Sequence, residues 1–294
     1  MGTVCFYHSV DADGEGSGAI VKLAHPETVM YGLDYGHKIP HDLVKDGDTL
    51  YIVDFSLPVE DMKALDARCT LVLMDHHKTA LDAAAEEKFV GLQSLGSSGI
   101  ELTWEYFHSE HSPMRVSLIP IPRAVRLIGA HDNWNHTDPE TWPFHYGLMS
   151  CNTDPRNSPF WHNLFTDRFG LVDQIIESGK PIQVSVDSSN KKYAEVAAFR
   201  TILPNGLRAI AINKGLTGSA IADSVFDPDM DDITLVFYWA KTFWRFSIYT
   251  DKIGLPSLGD FAKTQGVNGG GHQKAAGFQL QTLPDWLFSS NKKV

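Results

Sequence analysis

The sequence predicts an α/β chain whose first domain is built on a mostly parallel sheet, joined to a smaller second α/β domain. Three observations predict it. Short β-rich runs alternate with helical stretches in the first third of the chain, His or Asp residues follow each of three of those runs, and a second group of strand-like runs begins after residue 200.

Thr3 to Tyr7, Thr28 to Leu33, Thr49 to Val53 and Thr70 to Met74 are short apolar runs rich in Val, Ile, Leu and Tyr, as expected of strands buried on both faces. Between or after them, Pro58 to Leu65 opens with a proline suited to a first helical position, and Thr79 to Lys88 is rich in Ala, Leu and Glu. After about residue 90 the strand signal stops, and Ile100 to His108 and Pro122 to His131 are expected to be helices. Met149 to Pro159 has the composition of a loop, and Asp187 to Phe199 is polar and helix-compatible. Strands are expected again at Leu207 to Ile212, Ile233 to Trp239 and Phe243 to Tyr249, followed by a glycine-rich turn, Asn268-Gly269-Gly270-Gly271-His272. These features put the domain boundary near residues 185–195, giving domains of 1–185 and 195–294.

Composition narrows the class. The 294 residues, 43% hydrophobic and 21% charged, suffice for a buried core, which excludes a miniature disulfide scaffold and wholesale disorder. No apolar run approaches the ~20 residues that span a bilayer. The opening Met1-Gly2-Thr3-Val4-Cys5-Phe6 has neither a basic leader nor a myristoylation pattern, so a cytoplasmic location without membrane partners is expected. Cys5, Cys69 and Cys151 are odd in number and lack CxxC spacing, so they are expected to be small buried hydrophobes. The net charge of −11 disfavours long duplex nucleic acid, which needs a basic stripe. Charge is also uneven: residues 1–180 hold 13 Lys and Arg against 26 Asp and Glu, or −13, and the remainder hold 12 against 10, or +2. A half that gathers carboxylates for metal and a half that meets an anion would produce this asymmetry.

The chemistry lies at the ends of the elements. Tyr7 is followed by His8-Ser9-Val10-Asp11-Ala12-Asp13-Gly14, Val53 by Asp54, Met74 by Asp75-His76-His77, and the later helix ends in His131-Asp132. In parallel sheets, ligands collect beyond the C-terminal strand ends. Several carboxylates meeting there repel one another unless a cation lies among them. Asp oxygens and His nitrogens without thiolate suit Mn²⁺, Fe²⁺, Co²⁺ or Zn²⁺, with carboxylate-heavy ligation favouring Mn²⁺, and the number of donors suffices for two ions. Any one of these residues alone would be read as a helix cap or a satisfied polar group. Four clusters together point to metal.

Gly14-Glu15-Gly16-Ser17-Gly18-Ala19 fits the GxGxxA form of the dinucleotide fingerprint, with Asp34 at the spacing of its acidic residue. Asp11, Asp13 and Glu15 would repel a pyrophosphate there, so the glycines are expected instead to let the loop turn tightly and the next helix pack closely.

At this level the chain resembles the DHH phosphoesterases. The triplet Asp75-His76-His77 stands in Leu73-Met74-Asp75-His76-His77-Lys78-Thr79-Ala80; His8…Asp11-x-Asp13-Gly14 resembles the first motif, and Asp54 and Asp132 resemble the second and fourth. Ser98 to Trp104 resembles the segment between the third and fourth motifs. Gly269-Gly270-Gly271-His272 and Ala275-Ala276-Gly277-Phe278 resemble the DHH-associated substrate domain, so the likeness runs from residue 4 to about 280.

The resemblance implies a parallel-sheet DHH catalytic domain joined to a smaller α/β substrate-binding domain. It implies that His8, Asp11 and Asp54 hold one metal and Asp13, Asp54, His76 and Asp132 the other, with Asp54 bridging. The first Asp pair stands one residue closer to the opening His than is common in the family, which leaves open which of Asp11 and Asp13 serves which ion. His77 would face substrate phosphate, Asp75 would orient a histidine, and Arg245, the glycines Gly269, Gly270 and Gly271, and His272 would bind substrate. Lys78 and Lys274 are weaker candidates for phosphate, and Trp134 for stacking on a base. Asp54, Asp75, His76 and His77 are thus the candidate catalytic residues, with two Mn²⁺ ions, or Co²⁺ or Mg²⁺ in their place, as cofactors. The expected substrates are short single-stranded oligonucleotides, dinucleotides or cyclic nucleotides. Phosphomonoester or pyrophosphate hydrolysis, a non-catalytic nucleotide sensor and a purely structural role are the alternatives.

Overall fold

The computed structural model describes residues 1–34, 36–83, 86–108, 120–135, 137–288 and 292–293. The chain divides into two compact units, Met1–Gln183 and Val184–Val294. Among the described residues no helix is long and apolar enough to cross a membrane.

The first unit is wound around a five-stranded, wholly parallel sheet. Its elements are β1 (Thr3–His8), α1 (Ala12–Ala24), β2 (Val29–Leu33), β3 (Thr49–Val53), α2 (Val59–Asp66), β4 (Thr70–Asp75), α3 (Lys78–Ala83) and β5 (Val90–Gln93), followed by α4 (Gly99–His108), α5 (Arg123–Asp132), α6 (Thr141–Leu148) and α7 (Ser158–Phe165). The strand order is β2-β1-β3-β4-β5. Both faces are covered, as the apolar runs require. Cys5, Tyr7, Tyr51, Val53, Val72 and Met74 enter the core beneath α1 and α4, while the alternate residues Val4, Phe6, Leu50, Ile52, Leu71 and Leu73 enter the opposite core with α2.

Because β2 and β3 flank β1 on opposite sides, the order reverses between β1 and β3, the place where open α/β sheets bind ligands. His8 closes β1, and Asp54 directly follows β3.

Several expectations need correction. A fifth strand, β5, follows residue 89, where the strand signal was expected to stop; it pairs with β4 through Gly91, whose φ of 125° suits only glycine. The helix expected over 79–88 is seen as α3 to Ala83, and residues 84 and 85 lie outside those described. The polar stretch at 187–199 is, as far as Ala197, the end of a much longer helix, α8 (Leu171–Ala197), which contains Pro181, and Phe199 already begins a strand. Proline and glycine at 179–181 disguise that helix in the sequence.

The glycines of the dinucleotide-like motif are not in a loop. They lie within α1 at ordinary helical angles, and they are small because of what faces them. A Cβ on Gly14 would stand 2.1 Å from the His8 carbonyl oxygen, and one on Gly16 would stand 2.4 Å from Ile100 Cδ1. The close packing was expected; the tight turn is absent.

The second unit carries a seven-stranded mixed sheet of order β10-β11-β9-β8-β7-β6-β12. These strands are β6 (Phe199–Ile202), β7 (Arg208–Asn213), β8 (Ile233–Trp239), β9 (Trp244–Tyr249), β10 (Val267–Gly271), β11 (Ala275–Leu280) and β12 (Lys292–Lys293), with α9 (Leu258–Gln265) before β10. The glycine-rich segment expected to turn is strand β10. The turn comes after it, where the His272 N–H donates to the Ala275 carbonyl at 2.7 Å. Its glycines admit α9, since a Cβ on Gly269 would stand 2.1 Å from the Ala262 carbonyl oxygen.

A candidate two-metal centre in the first unit

The local sequence turns each donor toward the sheet edge. Asp11 caps α1, accepting a hydrogen bond from the Gly14 N–H at 2.9 Å, so the helix begins just before Asp13, which is buried in its first turn. Asp54 lies in the left-handed region at φ 51°, a conformation Asp tolerates better than most residues, and its N–H still donates to the Met74 carbonyl at 2.8 Å. This bends the chain off the edge with its carboxylate buried. Asp132 is the last residue of α5.

The donors converge in two sets. Ligand atoms of His8, Asp11 and Asp54 lie within 4.8 Å of one another, and so do those of Asp13, His76 and Asp132. Asp54 faces both sets, with Oδ2 3.5 Å from His8 Nδ1 and Oδ1 3.1 Å from His76 Nε2. His8 Nδ1 is also 3.1 Å from Asp11 Oδ2. His76 Nε2 lies 3.3 Å from Asp132 Oδ2 and 3.7 Å from Asp13 Oδ2.

Asp13 is held by the start of α4. Its Oδ2 accepts from the Gly99 N–H at 2.7 Å and its Oδ1 from the Ile100 N–H at 2.9 Å. Those amides are open to a carboxylate because a helix start leaves its first N–H groups unpaired. Ser98 and Glu101 complete a capping box there, the Ser98 N–H donating to Glu101 Oε2 at 3.0 Å. Asp75 is wholly buried and fixes the histidine pair: its Oδ1 accepts from the His76 N–H at 2.8 Å and lies 2.8 Å from His77 Nδ1.

Electrostatics show an excess of negative charge. Burial raises the Asp13 carboxyl well above its ordinary range, and the charges of Asp54 and Asp132 raise it further. Burial likewise pushes Asp132 up to about 7, with Asp54 and Asp11 adding to it and His76 opposing. Burial alone would lower His76, yet Asp54, Asp132 and Asp13 outweigh it and hold the imidazole at about 10. His8 is raised in the same way, against its burial, by Asp11, Asp34 and Asp54. For Asp54 burial is outweighed by His76 and His8, which hold the carboxyl below the usual range.

These residues fit divalent metal. The buried oxygens Asp54 Oδ1 and Asp132 Oδ2 accept no hydrogen bond among the described residues. Both aim at His76 Nε2, so oxygen and nitrogen donors converge on a common space, as around a cation. Sequence reasoning missed Asp34 as part of this site, reading it only as the acidic residue of a nucleotide fingerprint; its Oδ1 lies 3.7 Å from His8 Nε2.

The remaining candidates are placed as follows. Lys78 pairs with Asp82 at 2.6 Å, and Trp134 sits just beyond Asp132 at φ 56°. In the second unit, Arg245 is exposed on β9, and the sheet register puts it opposite Gln279, which in turn pairs with Val267. Gly271 pairs instead with Ala276, opposite Ile248. Arg245 therefore lies three residues along the sheet from the Gly271 row, roughly 10 Å, rather than beside His272.

No known family profile matches the chain. It is 23% identical to uncharacterized protein R106 of Acanthamoeba polyphaga mimivirus over 313 aligned residues, covering 97% of this chain and 69% of the relative. Among solved structures it is similar to an exopolyphosphatase-related protein of Bacteroides fragilis, with a TM-score of 0.53, 15% identity, and 96% of this chain and 87% of that one covered. It is also similar to the DHH domain of a protein described as a member of a family of ribosomal proteins, with a TM-score of 0.51, 15% identity, and 95% and 82% covered. The chain thus shares the fold of a solved DHH domain, and its own Asp75-His76-His77 stands at the C-terminal end of β4.

Proposed function

We propose that this chain is a metal-dependent phosphoesterase that hydrolyses phosphodiester bonds of short oligonucleotides, dinucleotides or cyclic nucleotides. The observation that carries the reading is the pair of donor sets facing the two oxygens of one buried carboxylate, Asp54. His8, Asp11 and Asp54 would hold one divalent ion, and Asp13, Asp54, His76 and Asp132 a second. Such ions supply Lewis acidity toward phosphate oxygens and make bound water a stronger nucleophile near neutral pH.

The protein's own part is positioning. Asp13 is fixed on two backbone amides, so its orientation does not depend on bound metal. Asp75 holds the His77 ring through Nδ1, and its charge, working against burial, raises the imidazole and favours the imidazolium, whose opposite nitrogen can then donate to a phosphate oxygen. The net charge of −13 on residues 1–180 is consistent with a small anion brought in by metal rather than a long polyanion held by lysines. His272 and the glycines of β10 are proposed phosphate contacts of the second unit, by their resemblance to the DHH-associated domain. Mn²⁺ is the proposed ion, on the carboxylate-rich donor set.

A second reading, hydrolysis of a phosphomonoester or pyrophosphate, is favoured by the likeness to the exopolyphosphatase-related protein. The deciding experiment is a hydrolysis panel of linear dinucleotides, a short oligoribonucleotide, cyclic mono- and dinucleotides, a nucleoside bisphosphate and pyrophosphate, with Mn²⁺ and with chelator. Mn²⁺-dependent release of mononucleotides is expected. Phosphate release from only the bisphosphate or pyrophosphate would establish the second reading, and no turnover despite bound metal would exclude both.

A further inference from the structure

Beside the donor cluster, wholly within the first unit, lies a cavity of 280 Å³ that the hydrolytic reading leaves unused. It borders the centre directly, because Asp11, Asp13 and Asp132 belong to both. Its wall is formed by Leu127, Ile128, Phe144 and Leu148 from α5 and α6, together with His131 and His145, whose rings stack in parallel with centroids 3.6 Å apart.

Size, polarity and charge narrow the occupant. The volume is just below the roughly 300–1,000 Å³ of small-molecule sites, so it admits one ring system rather than a whole dinucleotide. Among the described residues no lysine or arginine lines it, and four carboxylates do, so a phosphate is excluded. A flat, uncharged ring with hydrogen-bond donors on its edge satisfies both the apolar and aromatic wall and the carboxylates.

One carboxylate lies outside the donor sets. Glu15, in the first turn of α1, is half-buried in the lining, with Thr153 on the same wall. A carboxylate is an acceptor at both oxygens. The guanine edge offers two adjacent donors, N1–H and the N2 amino group. Adenine and cytosine offer one donor group beside an acceptor, and uracil one donor between two carbonyls.

We propose that this cavity is a nucleobase subsite in which Glu15 selects guanine next to the scissile phosphate, an inference that rests on the phosphodiesterase reading for the identity of the substrate. The subsite is tested by binding, independently of turnover. Calorimetric titration of the full chain in Mn²⁺ with GMP and AMP is expected to show GMP about tenfold or more tighter, the margin of a hydrogen bond to a charged group. E15Q presents one acceptor and one donor, the pairing suited to adenine, and is expected to abolish or reverse the preference while still binding AMP.

Equal affinity for the two nucleotides, no binding of GMP, or an unchanged preference in E15Q overturns the proposal. Turnover of linear guanosine and adenosine dinucleotides, measured in parallel, separates the two levels. Guanine-selective binding with no turnover of any nucleotide would overturn the phosphodiesterase reading and sustain the subsite. Turnover indifferent to the base and to E15Q would do the reverse.

Discussion

Gly99, the first residue of α4, lies against Asp54 so closely that a Cβ built on it would stand 2.4 Å from the Asp54 Cβ and 2.6 Å from Oδ1. No side chain fits there. The same residue donates its N–H to Asp13 at 2.7 Å, so one glycine sets the positions of two carboxylates, one from each donor set.

Gly99→Ala should therefore cripple the centre without unfolding the chain. A displacement near 1 Å at a reacting centre costs about 100-fold in rate. A near-normal circular dichroism spectrum with weakened Mn²⁺ uptake and turnover down by about that factor is the expected result; unchanged metal uptake would show that the contact is not limiting.

Asp54→Ala removes the one carboxylate that faces both sets. Bound Mn²⁺ per chain, measured by elemental analysis after desalting, should fall from two to one or none, with turnover lost. Two ions retained at normal affinity would contradict a bridging role for Asp54.

Chelation should lower the melting temperature. Asp13 and Asp132 are buried beside Asp54, whose charge raises both carboxyls, and metal at 100 times its Kd adds about 2.7 kcal/mol to the folded state. In a chain of this size about 2–4 °C is expected per kcal/mol. Asp132→Asn should shrink the difference between Mn²⁺ and chelator scans, and an identical melting temperature in both would count against metal binding.

The second unit makes a separate prediction. Asp231 is fully buried and is gripped by Arg200 at 2.9 and 3.1 Å. Arg200→Met strands that carboxylate and should cost about 3–5 kcal/mol, while R200M with D231L, which removes both charges, should recover most of it. Urea denaturation measures both. A double variant no more stable than R200M would mean that the loss is of shape rather than of charge pairing.

The acid limb of stability should depend on Asp232. Hydrogen bonds from Arg208 hold its carboxyl below the ordinary range, with the Arg208 N–H and Lys252 adding to them and burial opposing. A depressed carboxyl stabilises the fold above its unfolded pKa, near 4, and that contribution disappears as pH falls through the folded value. Asp232→Asn should thus be less stable than the parent at pH 7 and converge on it under acid. A gap that persists in acid would point to lost packing instead.

The amino-acid sequence by itself determined where the polar donors lie along the chain. Apolar runs buried on both faces end where His8, Asp54 and Asp75-His76-His77 begin, and that boundary is local information. It also marked Asp11 as a candidate ligand, though not as the cap of α1, and it marked the glycines of α1 as packing residues. What only the tertiary structure decided depends on contacts between distant segments. Asp34 reaches His8 because β2 pairs beside β1, and Asp13 rests on Gly99 and Ile100 because α1 packs on α4, more than eighty residues later. The strand character of the 267–271 glycines depends on pairing with β11, and the distance of Arg245 from them depends on register. The cavity that Glu15 helps to line exists only where α1 comes together with α5 and α6, since no local pattern encodes the space left between helices distant in sequence.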